Sequence, residues 1–385
     1  VTATSDVQVL TPQTVDEAQA MMRELVATAT PLRIAGAGTW RDAGAPMAAS
    51  HTLSLRALSG IVEYVPGDLT LTALAGTSLA ELAHATAAHG QWIGLDPAGD
   101  RRGTIGATIA TASSGPLAHA FGSPRDLVLG LDAITGYGDL VRPGGRVVKN
   151  VAGFDLVRLY TGAWGTLGPI VQVTLRLRAL PVHDVTLAMP AGDVARLSAL
   201  IPLLRANTIA LLACEWLDGT TARQLGVGHG DDTILLRLGG NDPFVRGQQA
   251  ALSAIAACTP ADPAVWGTLA VLDEQAPIVV RLSGAVSELP TRIERIRRAL
   301  THAHATFALH ASIGRGTIRV VVSDPGAQGR DALQATVRDE HRNVERLPHA
   351  WWHDEPDPFG DGLAGRIRRA FDPHLLCNRR EATHG

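Results

Sequence analysis

The chain has 385 residues, 46% hydrophobic and 18% charged, with a net charge of −3; this composition is neither disordered nor fibrous and suits two or three compact units. Its 34 basic residues are 33 arginines and one lysine, Lys149, and no Gly-Lys pair occurs, so Walker A, kinase and Ser-x-x-Lys chemistry are excluded and a pyridoxal Schiff base would have only Lys149. The near-neutral charge without a basic run argues against nucleic acid, and no window of about 20 apolar residues could span a bilayer.

Residues 6–95 alternate helix and strand signals. Apolar spacing after Pro12 predicts a helix over 14–29 capped by Thr14. A short strand, Leu32–Ala35, runs into Gly36-Ala37-Gly38-Thr39-Trp40. Strands are predicted over 60–65 and 70–75, joined by Pro66-Gly67, and a helix over 78–89 is ended by Gly90. Residues 96–181 are richer in glycine and turns, and end in a period-two strand over 169–180 stopped by Pro181. Beyond 181 the pattern reads β-α-β-β-α twice, with strands at 186–189, 209–216, 233–238, 278–283, 306–311 and 317–323. The helices between them are predicted at 194–206, 243–258, 289–302 and 327–339. That pattern predicts two ferredoxin-like halves on an antiparallel sheet. A Trp-, Pro- and Asp-rich loop follows Leu347, then a last helix over 362–371.

Of the 40 glycines, 22 lie between Gly36 and Gly168, a density that lets backbone approach a ligand closely. Three segments carry it. The first is Arg33-Ile-Ala35-Gly36-Ala37-Gly38-Thr39-Trp40. Its Gly-x-Gly invites a Rossmann reading, but position 41 is Arg and a turn rather than a helix follows. What remains is a loop whose N–H groups form a concavity for an anion, or a plain turn. The second runs from Asp96-Pro97 through Gly103-Thr104-Ile105-Gly106-Ala107 and Ala110-Thr111 to Ser113-Ser114-Gly115. Its hydroxyls at Thr104, Thr111, Ser113 and Ser114 can serve phosphate or flavin oxygens, or the loop is simply packed tightly on a sheet. The third is Pro143-Gly144-Gly145-Arg146-Val-Val-Lys149-Asn150-Val-Ala-Gly153-Phe154-Asp155-Leu156, leading to Gly165-Thr-Leu-Gly168-Pro169-Ile170.

In this order the three segments resemble the FAD-binding domain of the vanillyl-alcohol oxidase (PCMH-type) superfamily. Within it, Lys149-Asn150 to Leu156 followed by Gly165–Gly168 before a long strand is similar to the FAD-linked oxidases, glycolate oxidase FAD-binding subunits among them. The resemblance covers about 30–181 well and 362–378 fairly, and is only architectural over 182–345. It implies an α+β chain: a two-subdomain FAD domain over 1–181, an antiparallel ferredoxin-like cap over 182–345, and a segment over 346–385 that returns to the FAD domain. It also implies FAD held by the three segments and Asn378. The family tail Asn-Pro-Gly-Arg is here Cys377-Asn378-Arg379-Arg380, and Thr39-Trp40 stand where some members attach FAD through a histidine, so a non-covalent cofactor is expected.

A lysine retained in a chain of arginines points to Lys149 beside the flavin, favouring its anionic reduced form; an ion pair with Asp155 or another carboxylate is the alternative. Alcohol or hydroxy-acid oxidation needs a base and a cation for the carboxylate, for which the cap offers His310, Arg315 and Arg319. His310 is otherwise an ordinary strand residue. His302 and His304 lack a third metal ligand, and His349 and His353 lack the glutamate of a zincin, so no metal is expected. Trp351–Glu355 is a packed loop or a substrate wall, and Arg292, Arg295, Arg297 and Arg298 are expected on a solvated helix face.

Cys214, Cys258 and Cys377 are far apart without a Cys-x-x-Cys pair, which argues against disulfides and against an iron–sulfur cluster held by this chain alone. With no signal-peptide pattern at the start, the expected compartment is the cytoplasm. The resemblance adds a second flavoprotein subunit and an iron–sulfur subunit as partners, through which the chain would associate with a membrane. Three readings stay open: an FAD subunit of a glycolate-oxidase-like complex, an independent FAD oxidase or dehydrogenase, and a scaffold without catalysis.

Overall fold

The computed structural model describes residues 7–40, 43–145, 155–206, 208–326 and 328–381. They form two compact units: one of residues 1–114, 122–180 and 349–385, the other of 115–121 and 181–348.

Among its described residues the first unit has β1 (Gln8–Leu10), β2 (Leu32–Ala35), β3 (His51–Ser54), β4 (Ile61–Val65), β5 (Thr70–Leu74), β6 (Gln91–Trp92), β7 (Val128–Ile134), β8 (Leu140–Val141), β9 (Ile170–Arg176) and β10 (Arg178–Ala179). A small sheet of order β1-β3-β2 is parallel throughout. A second of order β4-β5-β9-β7-β8 is antiparallel. The predicted helix over 14–29 is Val15–Ala27, and Thr14 caps it by accepting the Glu17 N–H at 3.1 Å. The helix Leu79–Ala87 starts in a capping box, Ser78 with Glu81, where two side chains satisfy two orphan N–H groups reciprocally. The core between the sheets joins Met22, Leu32, Leu53, Leu58, Ile134 and Val171 to Leu376 and Cys377 from the far end of the chain.

The second unit is an eight-stranded sheet of β11 (His183–Pro190), β12 (Ala213–Leu217), β13 (Thr233–Gly240), β14 (Thr259–Ala261), β15 (Ile278–Ser283), β16 (Thr306–Ser312), β17 (Thr317–Asp324) and β18 (His341–Arg346). Its order is β14-β11-β13-β12-β16-β17-β15-β18. Each half is β-α-β-β-α-β: numbered within its half, the first reads 4-1-3-2 and the second its mirror order, 2-3-1-4. The halves are joined edge to edge where β12 pairs with β16. Each half therefore gains a closing strand, β14 or β18, that its weak alternation hid. Joining the two inner edges leaves only the short β14 and the charged β18 (His341-Arg-Asn-Val-Glu-Arg346) as edges, which discourages sheet-to-sheet association.

Of the four arginines on the helix Leu289–His302, Arg295 and Arg298 are exposed as expected of a solvated face, whereas Arg292 is buried and Arg297 half-buried. Arg292 is 5% exposed; it donates to Glu340 through two nitrogens at 2.9 and 2.6 Å and to the Gly316 carbonyl at 3.1 Å. Arg297 lies over the Trp216 ring and pairs with Asp232 at 2.5 Å. Helical spacing located these side chains; the carboxylates that draw them inward come from distant segments.

Candidate functional site: a glycine-walled cavity

In the first unit the parallel strand β2 ends at Ala35, and the chain turns through Gly36–Trp40 with Gly38 at φ +73°. Opposite that turn stands the helix Ile105–Thr111, capped by Thr104, whose side chain accepts the Ala107 N–H at 3.4 Å. A Cβ on Gly36 would sit 2.3 Å from Thr104 Oγ1, and one on Gly106 would sit 2.6 Å from Ala75 Cβ. The absence of side chains at these two points brings strand, turn and helix into contact. The third wall hangs from the helix end: the Gly162 N–H donates to the Ile109 carbonyl and the Trp164 N–H to the Ala110 carbonyl, at 3.0 and 2.8 Å. Gly168, at φ +118°, passes so close to β7 that a Cβ would lie 1.9 Å from the Ile134 carbonyl, a conformation and approach only glycine tolerates.

These walls enclose a cavity of about 500 Å³, of the size small-molecule and cofactor sites have. Ala35, Gly36, Ala37, Gly38, Thr39 and Trp40 line it, as do Pro97, Gly103, Thr104 and Gly106. Ala107, Ala110 and Thr111 continue the wall, and Gly165, Gly168, Ile170 and Asn378 close it. Asp96, Ile105, Ser114 and Gly115 of the expected set are not among the lining residues; Ile105 is wholly buried in the protein core. Tyr160, Ala163 and Trp164, which precede Gly165 in the third glycine segment but were not among the expected site residues, also line the cavity. Burial raises the Tyr160 phenol pKa, so this wall is neutral.

Two polar atoms of the lining are buried without a hydrogen-bond partner: the Trp40 indole Nε1 and the Ser113 hydroxyl. The hydroxyls of Thr104 and Thr111 serve the helix instead, Thr111 donating to the Ala107 carbonyl at 2.8 Å. Unmet buried donors beside a glycine cradle fit a large polar ligand that brings its own acceptors, as a flavin dinucleotide does.

In the second unit, His310 on β16 faces Leu217 on β12 and Arg319 on β17; Arg319 in turn faces Arg281 on β15. Cross-strand partners share a face, so these residues form one charged row. His310 Nδ1 lies 3.2 Å from Glu215 Oε2. The Arg319 guanidinium donates to Asp273 at 2.7 Å and to Glu345 at 2.5 Å, and Arg281 sits 3.2 Å from the other Glu345 oxygen. Burial works against the Arg319 cation, but the two carboxylates more than offset it and raise its pKa. Arg319 is thus held inside the sheet, whereas Arg315 is exposed on the β16–β17 turn. Lys149 lies outside the described residues; Asp155, its expected partner, caps the helix Leu156–Tyr160 and pairs with Arg158 at 2.9 Å. Among the described residues no group of three or more His, Cys, Asp or Glu could hold a metal, and no helix is long and apolar enough to cross a membrane. In the first unit, Trp352 is buried beneath Arg380, whose guanidinium lies 5.5 Å above its ring, and His349 is 3.4 Å from Glu381.

Comparison with known proteins agrees with this geometry. Residues 7–144 match the family described as an FAD binding domain. Glycolate oxidase subunit GlcE of Escherichia coli (strain K12) is 36% identical over 176 residues, 45% of this chain and 50% of that protein, so the match spans about half of that relative. D-2-hydroxyglutarate dehydrogenase of Xanthomonas citri pv. viticola is 30% identical over 95% of this chain and 87% of its own length. The solved 4-ethylphenol oxidase from Gulosibacter chungangensis shares the fold with a TM-score of 0.72 at 14% identity, covering 98% of this chain and 90% of that one. The chain belongs to the FAD-linked oxidases of the vanillyl-alcohol oxidase (PCMH-type) superfamily and is an FAD-dependent oxidoreductase.

Proposed function

We propose that this chain is the FAD-binding subunit of a heteromeric complex that oxidises a 2-hydroxy acid and passes the electrons to a partner. The observation that carries the reading is the cavity walled by glycine backbone, with two unpartnered donors in its lining, in a chain similar to a glycolate oxidase subunit. FAD, when bound, supplies the two-electron acceptor for the substrate C–H bond. The Gly36–Trp40 backbone and the Ser113 hydroxyl would hold it, and the apolar wall of Ala163 and Ile170 would exclude water. With Nδ1–H donating to the Glu215 carboxylate, His310 would keep Nε2 to take a substrate hydroxyl proton. Arg315, free of a carboxylate partner in its turn, would pair with the substrate carboxylate, and Lys149 would stabilise negative charge on the cofactor.

A second reading, an independent hydroxy-acid dehydrogenase, is favoured by the near full-length similarity to D-2-hydroxyglutarate dehydrogenase. Anaerobic absorbance spectra of the purified protein with glycolate, D-lactate or D-2-hydroxyglutarate separate the two. Bleaching of flavin bands in the isolated chain supports the independent enzyme. Bleaching that needs a co-purifying subunit supports the complex, and a preparation that cannot be loaded with flavin overturns both.

A further inference from the structure

The C-terminal segment runs beside β2 of the small sheet through one parallel bridge, Leu32 with Cys377. Leu32 donates its N–H to the Leu376 carbonyl at 2.9 Å, and Asn378 donates its N–H to the Leu32 carbonyl at 3.0 Å. Asp372, wholly buried, fixes the approach by accepting the N–H groups of Leu376 and Cys377 at 3.1 and 2.8 Å. Arg368 donates to the Cys377 carbonyl at 3.0 Å. Beyond Asn378 the chain is pinned again, the Ala48 N–H donating to the Arg379 carbonyl and the Glu381 N–H to the Pro46 carbonyl, at 3.1 and 3.0 Å.

Held on both sides, Asn378 directs its amide between two cavity walls. Its Oδ1 accepts the Ile34 N–H at 2.7 Å, two residues before the first glycine turn, and its Nδ2 donates to the Trp164 carbonyl at 2.6 Å. Both contacts sit on unusual backbone: Asn378 has φ +45° and Trp164 φ +52°. Gly165 must lack a side chain because its Cβ would lie 2.5 Å from Asn378 Nδ2. One partner is an N–H and the other a carbonyl, so the position requires an acceptor and a donor on one short planar group.

We propose that Asn378 is a positioning residue that staples the first glycine turn to the Trp164–Gly165 turn, so that the C-terminal segment sets the spacing of the two walls between which FAD binds. The proposal rests on the FAD reading of the cavity. It differs from a plain flavin contact because the amide oxygen and one amide hydrogen are already engaged by protein backbone.

An Asn378→Asp variant gives a signature that a general loss of packing would not. As a carboxylate it accepts from Ile34 but sets a negative oxygen against the Trp164 carbonyl; protonated, it supplies both the acceptor and the donor again. The FAD dissociation constant of the full chain is measured at about pH 8 and about pH 4 for the natural protein, Asn378→Ala and Asn378→Asp. Amide hydrogen exchange of the FAD-free proteins is followed at residues 32–40 and 160–168. Asn378→Ala is expected to weaken FAD binding about tenfold or more at both pH values, in line with the loss of two hydrogen bonds. Asn378→Asp is expected to bind as weakly at about pH 8 and to recover to within about threefold of the natural protein at about pH 4, where an ordinary aspartate is about half protonated. Exchange at Ile34 is expected to speed up in Asn378→Ala. Asn378→Asp binding FAD normally at about pH 8, failing to recover at about pH 4, or unchanged Ile34 exchange in the alanine variant would each overturn the staple. Failure of the natural protein to bind FAD would instead strike the cofactor reading, and exchange in the FAD-free proteins would still decide the staple.

Discussion

The two units hold their critical groups by opposite means. In the FAD unit the site is made of backbone: glycines let β2, the helix Ile105–Thr111 and the Trp164–Gly168 turn close on one another, and few side chains reach in. In the sheet unit the corresponding feature is made of side chains, a buried row from Glu215 and His310 to Arg319, Arg281 and Glu345. A backbone site is sensitive to any added atom but indifferent to charge; a charged row tolerates shape changes but not the loss of one partner. Substitutions that respect or violate these two logics should therefore separate the units.

The largest effect is expected from Arg319→Met, which leaves Asp273 and Glu345 buried with one cation fewer and should cost about 3–5 kcal/mol in urea unfolding. FAD affinity of the protein that remains folded should change little, because the cavity-lining residues all belong to the other unit; a parallel loss of flavin would erase the contrast. Gly168→Ala should be next, about 2–4 kcal/mol, since it adds a left-handed backbone penalty to a contact with the Ile134 carbonyl. Unlike the arginine variant, it should release flavin, visible as fluorescence in the filtrate. Ser113→Ala sharpens the comparison further. Its hydroxyl has no protein partner, so the FAD-free protein should be as stable as before or slightly more so, while FAD binds about 1 kcal/mol more weakly. Equal FAD affinity would remove Ser113 from the site.

The smallest effect is a pH dependence in the sheet unit. Burial, then the nearby charges of Arg205 and Arg315, lower the His119 pKa. A base whose folded pKa is depressed contributes stability above its unfolded value, near pH 6.5, and loses it as pH falls from there towards the folded pKa. His119→Gln should flatten the stability profile over that window, measured by urea midpoints at successive pH values; an unchanged slope would show that His119 carries none of it.

Legibility in the sequence follows the same division. The strand Leu32–Ala35, the helix Leu289–His302 and the last helix, Gly362–Phe371, are present at the predicted bounds, because caps, glycines and apolar period act over a few residues. The glycine segments announced a ligand for the same reason: each close approach leaves a local mark. Strand β7, central beside β9, was missed because Val128–Ile134 has an apolar run interrupted by Gly130 and Asp132. The helix Ile105–Thr111 was missed because its small residues resemble a loop, although Thr104 is a proper cap. Ser113 was one of four equivalent hydroxyls until the fold showed which of them is buried in the lining without a partner.

The sequence by itself determined where backbone comes close to a ligand, since such approaches have to be written as glycine, and the resemblance those segments carry implied that the ligand is FAD. It also determined the doubled β-α-β-β-α pattern, since periodicity is local. Only the tertiary structure decided which groups are free to act. Arg319 and Arg315 are four residues apart and alike in composition, yet one is bound by two carboxylates from distant segments and the other is exposed. Asn378 sits far from Ile34 and Trp164 in the chain, yet its amide joins them. Partners brought together by folding set the charge and hydrogen bonds of a side chain, and nothing near it in sequence records them.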